Sequence, residues 1–363
     1  MPPPNVQQKK YVQTVINPSF FNAQATGDAG SSKASPYFSR SIVPSSEQPT
    51  SQTEKDRQGA TGRTSESQTI ERRTTPRRHD EELARVAVET REVLPELLQS
   101  MPWARPIGVL YVPSDLTILE PSFSPRFLLP PDDLLGRAGE LGTRIQVVNG
   151  DSFDVAIDVL YKSEATKDTR PVAVLNLANA KHGGGGWLQG ALAQEEALCY
   201  RSSLSFTLKR RFYPLPEISG VYSPTVVVFR DAISAGHHLM DLSDPRSLPV
   251  LSVISAAAIR DPVVTQTVPP RYRRREDRDV MKLKMGMILR IAVIKRHRRL
   301  VLGALGCGAF ANPPEDVAEC WKEVFAENEF QQGWFESVIF AVMGEGPNSN
   351  FEIFQKVLQD LVV

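Results

Sequence analysis

The chain has 363 residues, 41% of them hydrophobic, which is enough to bury the core of one large domain or two small ones. Its 42 basic and 42 acidic side chains cancel, which excludes a bulk attraction to nucleic acid or to an anionic membrane. Three unevenly spaced cysteines fit neither a disulfide framework nor a paired CxxC metal site, and no apolar run is long enough to span a bilayer. We therefore expect an intracellular protein, nuclear or cytoplasmic.

The first part of the chain differs in composition from the rest. Residues 1–79 are rich in Ser, Thr, Gln, Pro and Arg, and they lack an apolar period, so they predict a disordered tail. Folded sequence begins at Asp80 with apolar residues at helical spacing, which predict an N-terminal helical extension that Pro95 kinks or ends. We expect residues 80–363 to form one catalytic-sized domain.

The remaining pattern alternates between strands and helices. Short apolar segments rich in β-branched residues predict strands, and the stretches between them include amphipathic helices. The strand segments are 144–150, 171–178, 224–230, 248–257, 298–306 and 335–343, and the helical ones are 195–208, 280–295 and 314–327. This order predicts an α/β fold with helices on both faces of a sheet and a core at about 144–345.

A glycine run follows the second strand segment. Gly183 to Gly186 come shortly after "NLANA", and "QEE" at Gln194, Glu195 and Glu196 opens the next helix. Contiguous glycines let a backbone approach a ligand closely, and their amides form a nest for an anion such as phosphate. A tight turn is the alternative for the glycines. For the glutamates the alternative is helix capping, which accounts for one carboxylate better than for two.

A second loop is also rich in glycine and also follows a predicted strand. The strand "RRLVLGALG" ends in Gly306, Cys307, Gly308 and Ala309, with Phe310 at the tip. Asn312 and the prolines after it predict the cap and first turn of a helix. Two nests at the carboxyl ends of strands suit a diphosphate. Cys307 has no histidine near it in sequence, so we interpret it as a small buried residue and not as a nucleophile.

These residues together resemble a known family. Gly184, Gly185 and Gly186, seven spacer residues and then "QEE" are similar to the motif of the poly(ADP-ribose) glycohydrolases in their compact microbial and fungal form, which are macrodomain relatives. "LNLANA", "YSPTVVVFRD", "SVISAAA" and "LVLGALGCGAFANPPEDVA" resemble the family's other blocks, in order. The resemblance runs from about residue 80 to the C-terminus. In this chain His182 and Gly183 stand where relatives tend to carry a proline before the three glycines.

The resemblance implies a macrodomain-like mixed sheet and a hydrolase that cleaves poly(ADP-ribose) chains to ADP-ribose. It assigns general acid/base catalysis to Glu196, with Glu195 beside it in the catalytic pair; the sequence by itself does not rank the two. It also implies that Asn179, Gln194 and Glu195 hold ribose. Diphosphate would lie at Gly184, Gly185 and Gly186 and at Gly306, Cys307, Gly308 and Ala309, with Phe310 stacked on the nucleotide.

Poly(ADP-ribose) and poly(ADP-ribosyl)ated proteins are then the expected partners, with ADP-ribose as product. We expect a monomer that needs no cofactor and no metal, since the five histidines show no ligand spacing. One alternative is a non-catalytic ADP-ribose-binding macrodomain, although such a protein has no need of the acid in "QEE". Another is a nucleic-acid-binding protein that uses the basic runs "RYRRRE" (271–276) and "KRHRR" (295–299). If the chain does not bind nucleic acid, these runs form either a solvated face or a track for the anionic polymer.

Overall fold

The computed structural model of the chain describes residues 74–131, 133, 135–164 and 170–363. Arg77–Val363 belong to one compact unit. The predicted disordered tail lies outside the described residues except for its last six positions, so the domain boundaries at 79 and 80 stay a prediction. No helix in the described part of the chain is long and apolar enough to cross a membrane.

Seven helices and seven strands alternate along these residues, with short 3-10 turns between them. The helices are α1 (Thr74–Ser100), α2 (Ser152–Glu164), α3 (Gln194–Arg201), α4 (Leu204–Thr207), α5 (Arg275–Ile294), α6 (Pro314–Phe325) and α7 (Asn350–Leu358). The strands are β1 (Val109–Tyr111), β2 (Ile145–Val148), β3 (Ala173–Leu177), β4 (Gly220–Val227), β5 (Val250–Ala256), β6 (Arg299–Leu302) and β7 (Ser337–Ala341).

The strands form one mixed sheet in the order β1-β4-β5-β3-β6-β7-β2. β4 runs antiparallel to both β1 and β5, whereas β5, β3, β6, β7 and β2 are parallel to one another. The predicted α/β fold with a mixed sheet is therefore confirmed. β3 lies between the parallel strands β5 and β6 at the centre of the seven-stranded sheet, so the loops after β5, β3 and β6 emerge together at one edge of the sheet.

Apolar side chains pack on both faces of the sheet, as an α/β/α arrangement requires. On β3, Ala173 and Leu175 face a core that contains α5, α6 and α7, whereas Val174 faces a second core that contains α2 and α3. This alternation follows from the two-residue period of a strand. A third, smaller cluster packs the C-terminal half of α1 against Phe229, Leu248 and Val250.

The predicted strands are confirmed with shifted ends, and the predictions about two helices need adjustment. α1 continues past Pro95 to Ser100, so the proline does not end it, and the buried Leu94 and Leu97 on either side of the proline pack against the sheet. The helix predicted at 195–208 breaks after Arg201, because Ser203 donates its amide to Val227 at the end of β4. In β4 itself, Pro224 lies at a register shift, where its missing N–H interrupts no regular pairing.

Candidate active site

The two glycine loops lie at the carboxyl ends of adjacent parallel strands. One follows β3 and the other follows β6, and β3 pairs with β6 in register. The loops meet near the sheet, where a side chain at Gly303 would reach Leu177. This is the edge at which open α/β sheets bind their ligands.

The first loop does form an anion nest, but the anions that it holds are side chains of the protein. Gly184 and Gly185 have φ angles of +80° and +57°, which glycine adopts readily. The Gly184 amide donates to Glu195 Oε1 (3.1 Å) and the Gly186 amide donates to Glu196 Oε1 (2.9 Å). The Gly185 amide donates to the His182 carbonyl. The loop therefore positions the two glutamates, and its direct contact with a diphosphate stays a prediction.

Glu195 is almost fully buried and is held by three hydrogen bonds. Its side chain is only 2% exposed and accepts three hydrogen bonds, from Gly184 and from Asn176 Nδ2 (3.2 Å) at Oε1 and from the Asn179 amide (2.7 Å) at Oε2. Burial raises the pKa of Glu195 to about 7, and the charge of Glu196 adds to the rise. Near neutral pH this carboxyl therefore exists in both protonation states.

Glu196 is the third residue of α3 and is 9% exposed. Its Oε2 accepts from the Ala193 amide (3.1 Å), which satisfies one of the free donors at the helix start, and its Oε1 accepts from Gly186. A side chain at Gly185 would collide with the Glu196 carboxylate. The capping interpretation thus applies to Glu196, and the same contacts fix its carboxylate against the glycine loop.

Gln194 and Asn179 shape the pocket around Glu195. The Gln194 amide group accepts from the Leu177 amide (2.8 Å) and donates to the Leu175 carbonyl (2.9 Å), so it attaches the start of α3 to β3. Asn179 Oδ1 accepts from the amides of Lys181 and His182 and so turns the chain into the glycine run. Contact of either side chain with ribose stays a prediction.

Asn176 is a site residue that the sequence did not reveal. It is fully buried in β3, and its Nδ2 donates to both Glu195 Oε1 and Ser255 Oγ (3.0 Å). Its Oδ1 is buried with no hydrogen-bond partner among the described residues. A single asparagine inside "AVLNLA" was the available signal, because a polar side chain in a doubly buried strand must have a partner.

The second loop presents free amides. No described residue accepts a hydrogen bond from the amides of Gly308, Ala309 or Phe310, and Gly308 and Ala309 are exposed. Gly306 has a φ of +80°, and a side chain there would collide with Ala258 and Asn312. Consecutive unpaired amides in a glycine turn are suited to binding an anion. The second loop therefore has the free amides of an anion nest, which the sequence predicted for both loops.

Asn312 organises this loop and does not cap α6. Its Nδ2 lies near the carbonyls of Ile259 (2.7 Å), Gly306 (3.1 Å) and Phe310 (3.2 Å), and its Oδ1 accepts from the Tyr272 hydroxyl (2.7 Å). α6 begins at Pro314 with Pro313 before it and no side-chain cap. The predicted cap is therefore wrong, because the asparagine side chain turns back into the loop.

Phe310 and Cys307 are both partly exposed residues of the second loop. The Arg260 guanidinium lies 5.3 Å from the centroid of the Phe310 ring. Burial raises the pKa of the Cys307 thiol above its ordinary value, which disfavours the thiolate that a nucleophile needs. A stacking role for Phe310 stays a prediction.

Two arginines of the first basic run have close acidic partners on α5 and α6. Arg271 pairs with Asp316 (2.9 Å) and Glu319 (2.7 Å), and Arg274 pairs with Asp277 (2.5 Å). In the second run, Arg299 pairs with Glu336 (3.0 Å). These pairs favour a structural role for the three arginines over a track for a polyanion. The described residues contain no group of three or more His, Cys, Asp or Glu side chains placed to hold a metal ion.

Comparisons with known proteins agree with this geometry. Residues 126–231, which include the glycine run and both glutamates, match the family described as "Microbial-type PARG, catalytic domain", where PARG is poly(ADP-ribose) glycohydrolase. The chain contains a microbial-type poly(ADP-ribose) glycohydrolase domain. No curated protein gives a significant match.

Solved structures of bacterial glycohydrolases extend the match beyond those residues. Poly(ADP-ribose) glycohydrolase from Thermomonospora curvata is 28% identical, with 76% of this chain and 99% of that chain covered and a TM-score of 0.58. The same enzyme bound to the inhibitor ADP-HPD gives a TM-score of 0.57 at the same identity and coverage. The Deinococcus radiodurans enzyme in complex with ADP-ribose is 28% identical, with 73% and 98% covered and a TM-score of 0.55. The glycohydrolase domain is therefore homologous to bacterial enzymes over most of its length.

Proposed function

We infer that the chain is a hydrolase that cleaves the ribose–ribose O-glycosidic bonds of poly(ADP-ribose) and releases ADP-ribose. The observation that carries this conclusion is the pair of adjacent carboxylates, both held by the amides of one glycine loop beside a second loop with free amides. The homology to bacterial glycohydrolases supports the reaction class, and the complexes of those relatives with ADP-ribose and ADP-HPD support the ligand.

Each part of the site has a task in that reaction. The free amides of Gly308, Ala309 and Phe310 bind the diphosphate, and the Phe310 ring stacks on the adenine. Glu195 and Asn179 bind hydroxyls of the ribose whose anomeric carbon reacts. The buried, three-fold hydrogen-bonded carboxylate of Glu195 is fixed in place, so that it orients this ribose.

Glu196 acts as the general acid and base. Its carboxyl group donates a proton to the leaving ribose hydroxyl as the glycosidic bond breaks and positive charge develops on the anomeric carbon. Water then adds to that carbon, and Glu196 takes up the proton that the water releases. Glu196 is better placed than Glu195 for this task, because its carboxylate is the more exposed and accepts two hydrogen bonds instead of three.

Incubation with a poly(ADP-ribosyl)ated protein, followed by chromatography of the products, tests the proposed function. We expect ADP-ribose to accumulate as the polymer disappears. Binding of ADP-ribose without any product would contradict the hydrolase and identify the chain as a non-catalytic ADP-ribose-binding macrodomain.

A further inference from the structure

Tyr213 lies beside the candidate ribose site although it follows Glu196 by 17 positions in the sequence. Two positions after Tyr213, the Leu215 amide donates to the carbonyl of Ala180 (2.8 Å). Ala180 directly follows Asn179, whose own amide binds Glu195. This backbone pairing returns the chain to the loop after β3 and places Tyr213 next to it.

The Tyr213 ring packs against the start of the glycine run. A side chain at Gly183 would come within 3.0 Å of Tyr213 Cε2 and within 2.8 Å of Leu208 Cβ. Glycine at this position therefore leaves the space that the aromatic ring occupies. The next residue, Gly184, donates its amide to Glu195, so the ring and the Glu195 carboxylate lie against consecutive residues of the loop.

The hydroxyl of Tyr213 is buried and has no hydrogen-bond partner among the described residues. A buried hydroxyl without a partner destabilises the folded protein, so its presence calls for an explanation. Burial raises the pKa of the Tyr213 phenol, and the charge of Glu195 raises it further. The phenol therefore stays protonated and is a hydrogen-bond donor close to a carboxylate.

Glu195 has spare capacity to accept hydrogen bonds next to this donor. Its Oε1 accepts from two groups, whereas its Oε2 accepts only from the Asn179 amide among the described residues. A carboxylate oxygen offers two lone pairs. An unused donor and an unused acceptor thus occur together at one end of the site.

We propose that the Tyr213 hydroxyl is a ligand-binding group of the ribose site, where it and Glu195 together bind the vicinal diol of the terminal ribose of ADP-ribose. One ribose hydroxyl donates to Glu195, and the diol accepts from Tyr213. This inference rests on the proposed function, since it takes ADP-ribose as the ligand of the site. It adds a residue that lies outside both glycine loops and the "QEE" motif.

The variant Tyr213→Phe tests the inference, because it removes the hydroxyl and keeps the ring on Gly183. Affinities for ADP-ribose and for ADP, which lacks the terminal ribose, are measured by calorimetry on the full chain. We expect ADP-ribose to bind about tenfold more weakly and ADP to bind unchanged. The melting temperature of the ligand-free variant should be no lower than that of the wild type, since an unpaired buried hydroxyl is removed.

Tyr222→Phe is the matched control. The Tyr222 hydroxyl is paired with His297 Nε2 (3.0 Å) at the amino end of β6, away from the site. We expect this variant to melt at a lower temperature and to bind both ligands as the wild type does. Unchanged ADP-ribose affinity in Tyr213→Phe, or an equal loss for ADP and ADP-ribose, would overturn the inference. Failure of the wild type itself to bind ADP-ribose would contradict the proposed function as well.

Discussion

Glu195 and Glu196 are neighbours in the chain, but different donors surround their carboxylates. Glu195 is buried among Asn176, Asn179 and Gly184, whereas Glu196 bridges the glycine loop and the start of α3. At the scale of single residues, this difference supports the proposal that Glu195 orients the ligand and that Glu196 exchanges a proton with it.

Glu195→Gln should change how stability depends on pH. Burial gives Glu195 a pKa of about 7 in the folded protein and an ordinary value near 4.5 when unfolded. The folded state therefore binds the proton more tightly than the unfolded state does, and this tighter binding stabilises the folded protein. The stabilisation is complete below pH 4.5 and is lost as the pH rises through about 7. The glutamine variant has no proton to lose at this position.

We expect the unfolding free energy of the wild type, relative to the variant, to fall by about 3 kcal/mol over that pH range. Urea denaturation of both proteins across the range measures the difference. A constant difference would show that Glu195 titrates at its ordinary value.

Phe310→Ala should weaken ligand binding more than it weakens the fold. A stacking contact of about 1 to 3 kcal/mol corresponds to roughly five- to hundredfold weaker ADP-ribose binding. The ring is only half-buried, so the loss of stability should be well below the roughly 3 to 5 kcal/mol of a buried phenylalanine.

Calorimetry and thermal melting on this one variant measure both effects. Phe123→Ala is the control, because that ring is 80% exposed and belongs to neither loop. A large loss of stability with unchanged affinity would remove Phe310 from the site.

The residues of the motifs were predictable from the sequence, whereas most of their partners were not. The glutamates stand in a recognisable pattern, but the contact of Asn176 with Glu195 depends on how α3 packs against β3. The proximity of Tyr213 depends on a single backbone pairing between Leu215 and Ala180. Such contacts arise from tertiary structure, and no local period or spacing records them.

At the scale of elements, the glycine loop after β3 is a support for carboxylates. Its bends require positive φ angles, and two of its amides donate hydrogen bonds to the two glutamates. In the loop after β6 the amides at the tip stay free, while the neighbouring carbonyls accept hydrogen bonds from the Asn312 side chain. Two loops that look alike in sequence thus have different tasks.

Gly185→Ala should impair catalysis beyond its effect on stability. The new side chain would strain the backbone by about 1 to 2 kcal/mol at positive φ and would also displace the Glu196 carboxylate. A misplacement of this kind corresponds to a loss in turnover of about a hundredfold.

Gly346→Ala is the control for strain alone, since Gly346 has a φ of +77° and a side chain there would meet nothing within 4 Å. Turnover of both variants on poly(ADP-ribose), beside their melting temperatures, separates the two effects. Equal turnover in the two variants would contradict the contact between the loop and Glu196.

Elements with a strong local pattern were predictable, and weak ones were not. The six predicted strands are mostly buried, so most of their residues are apolar. β1 has three residues and is partly exposed, which leaves no pattern to detect. α2, which was not predicted, does have an apolar pattern, since Phe153, Ala156 and Leu160 lie at helical spacing.

At the scale of the whole molecule, the proposed catalytic residues lie at the edge of a sheet with a core on each face. Both loops and α3 belong to the compact unit that includes Arg77–Val363. Every candidate site residue lies between positions 176 and 310. Function should therefore depend on this unit.

Deletion of residues 1–73 should leave both the melting temperature and polymer hydrolysis nearly unchanged. The cut precedes α1, which starts at Thr74, and the deleted sequence lacks the apolar period needed to join a core. Thermal melting and turnover of the truncated chain measure the outcome. A large fall in either would mean that the tail contributes to the folded domain.

Glu196→Gln tests most directly the proposal that Glu196 is the general acid and base of a poly(ADP-ribose) hydrolase. An amide keeps the shape of the side chain but cannot supply a proton. We expect ADP-ribose affinity within a few fold of the wild type, together with a loss in turnover on poly(ADP-ribose) of at least roughly two orders of magnitude. Wild-type-like turnover in this variant would contradict the account.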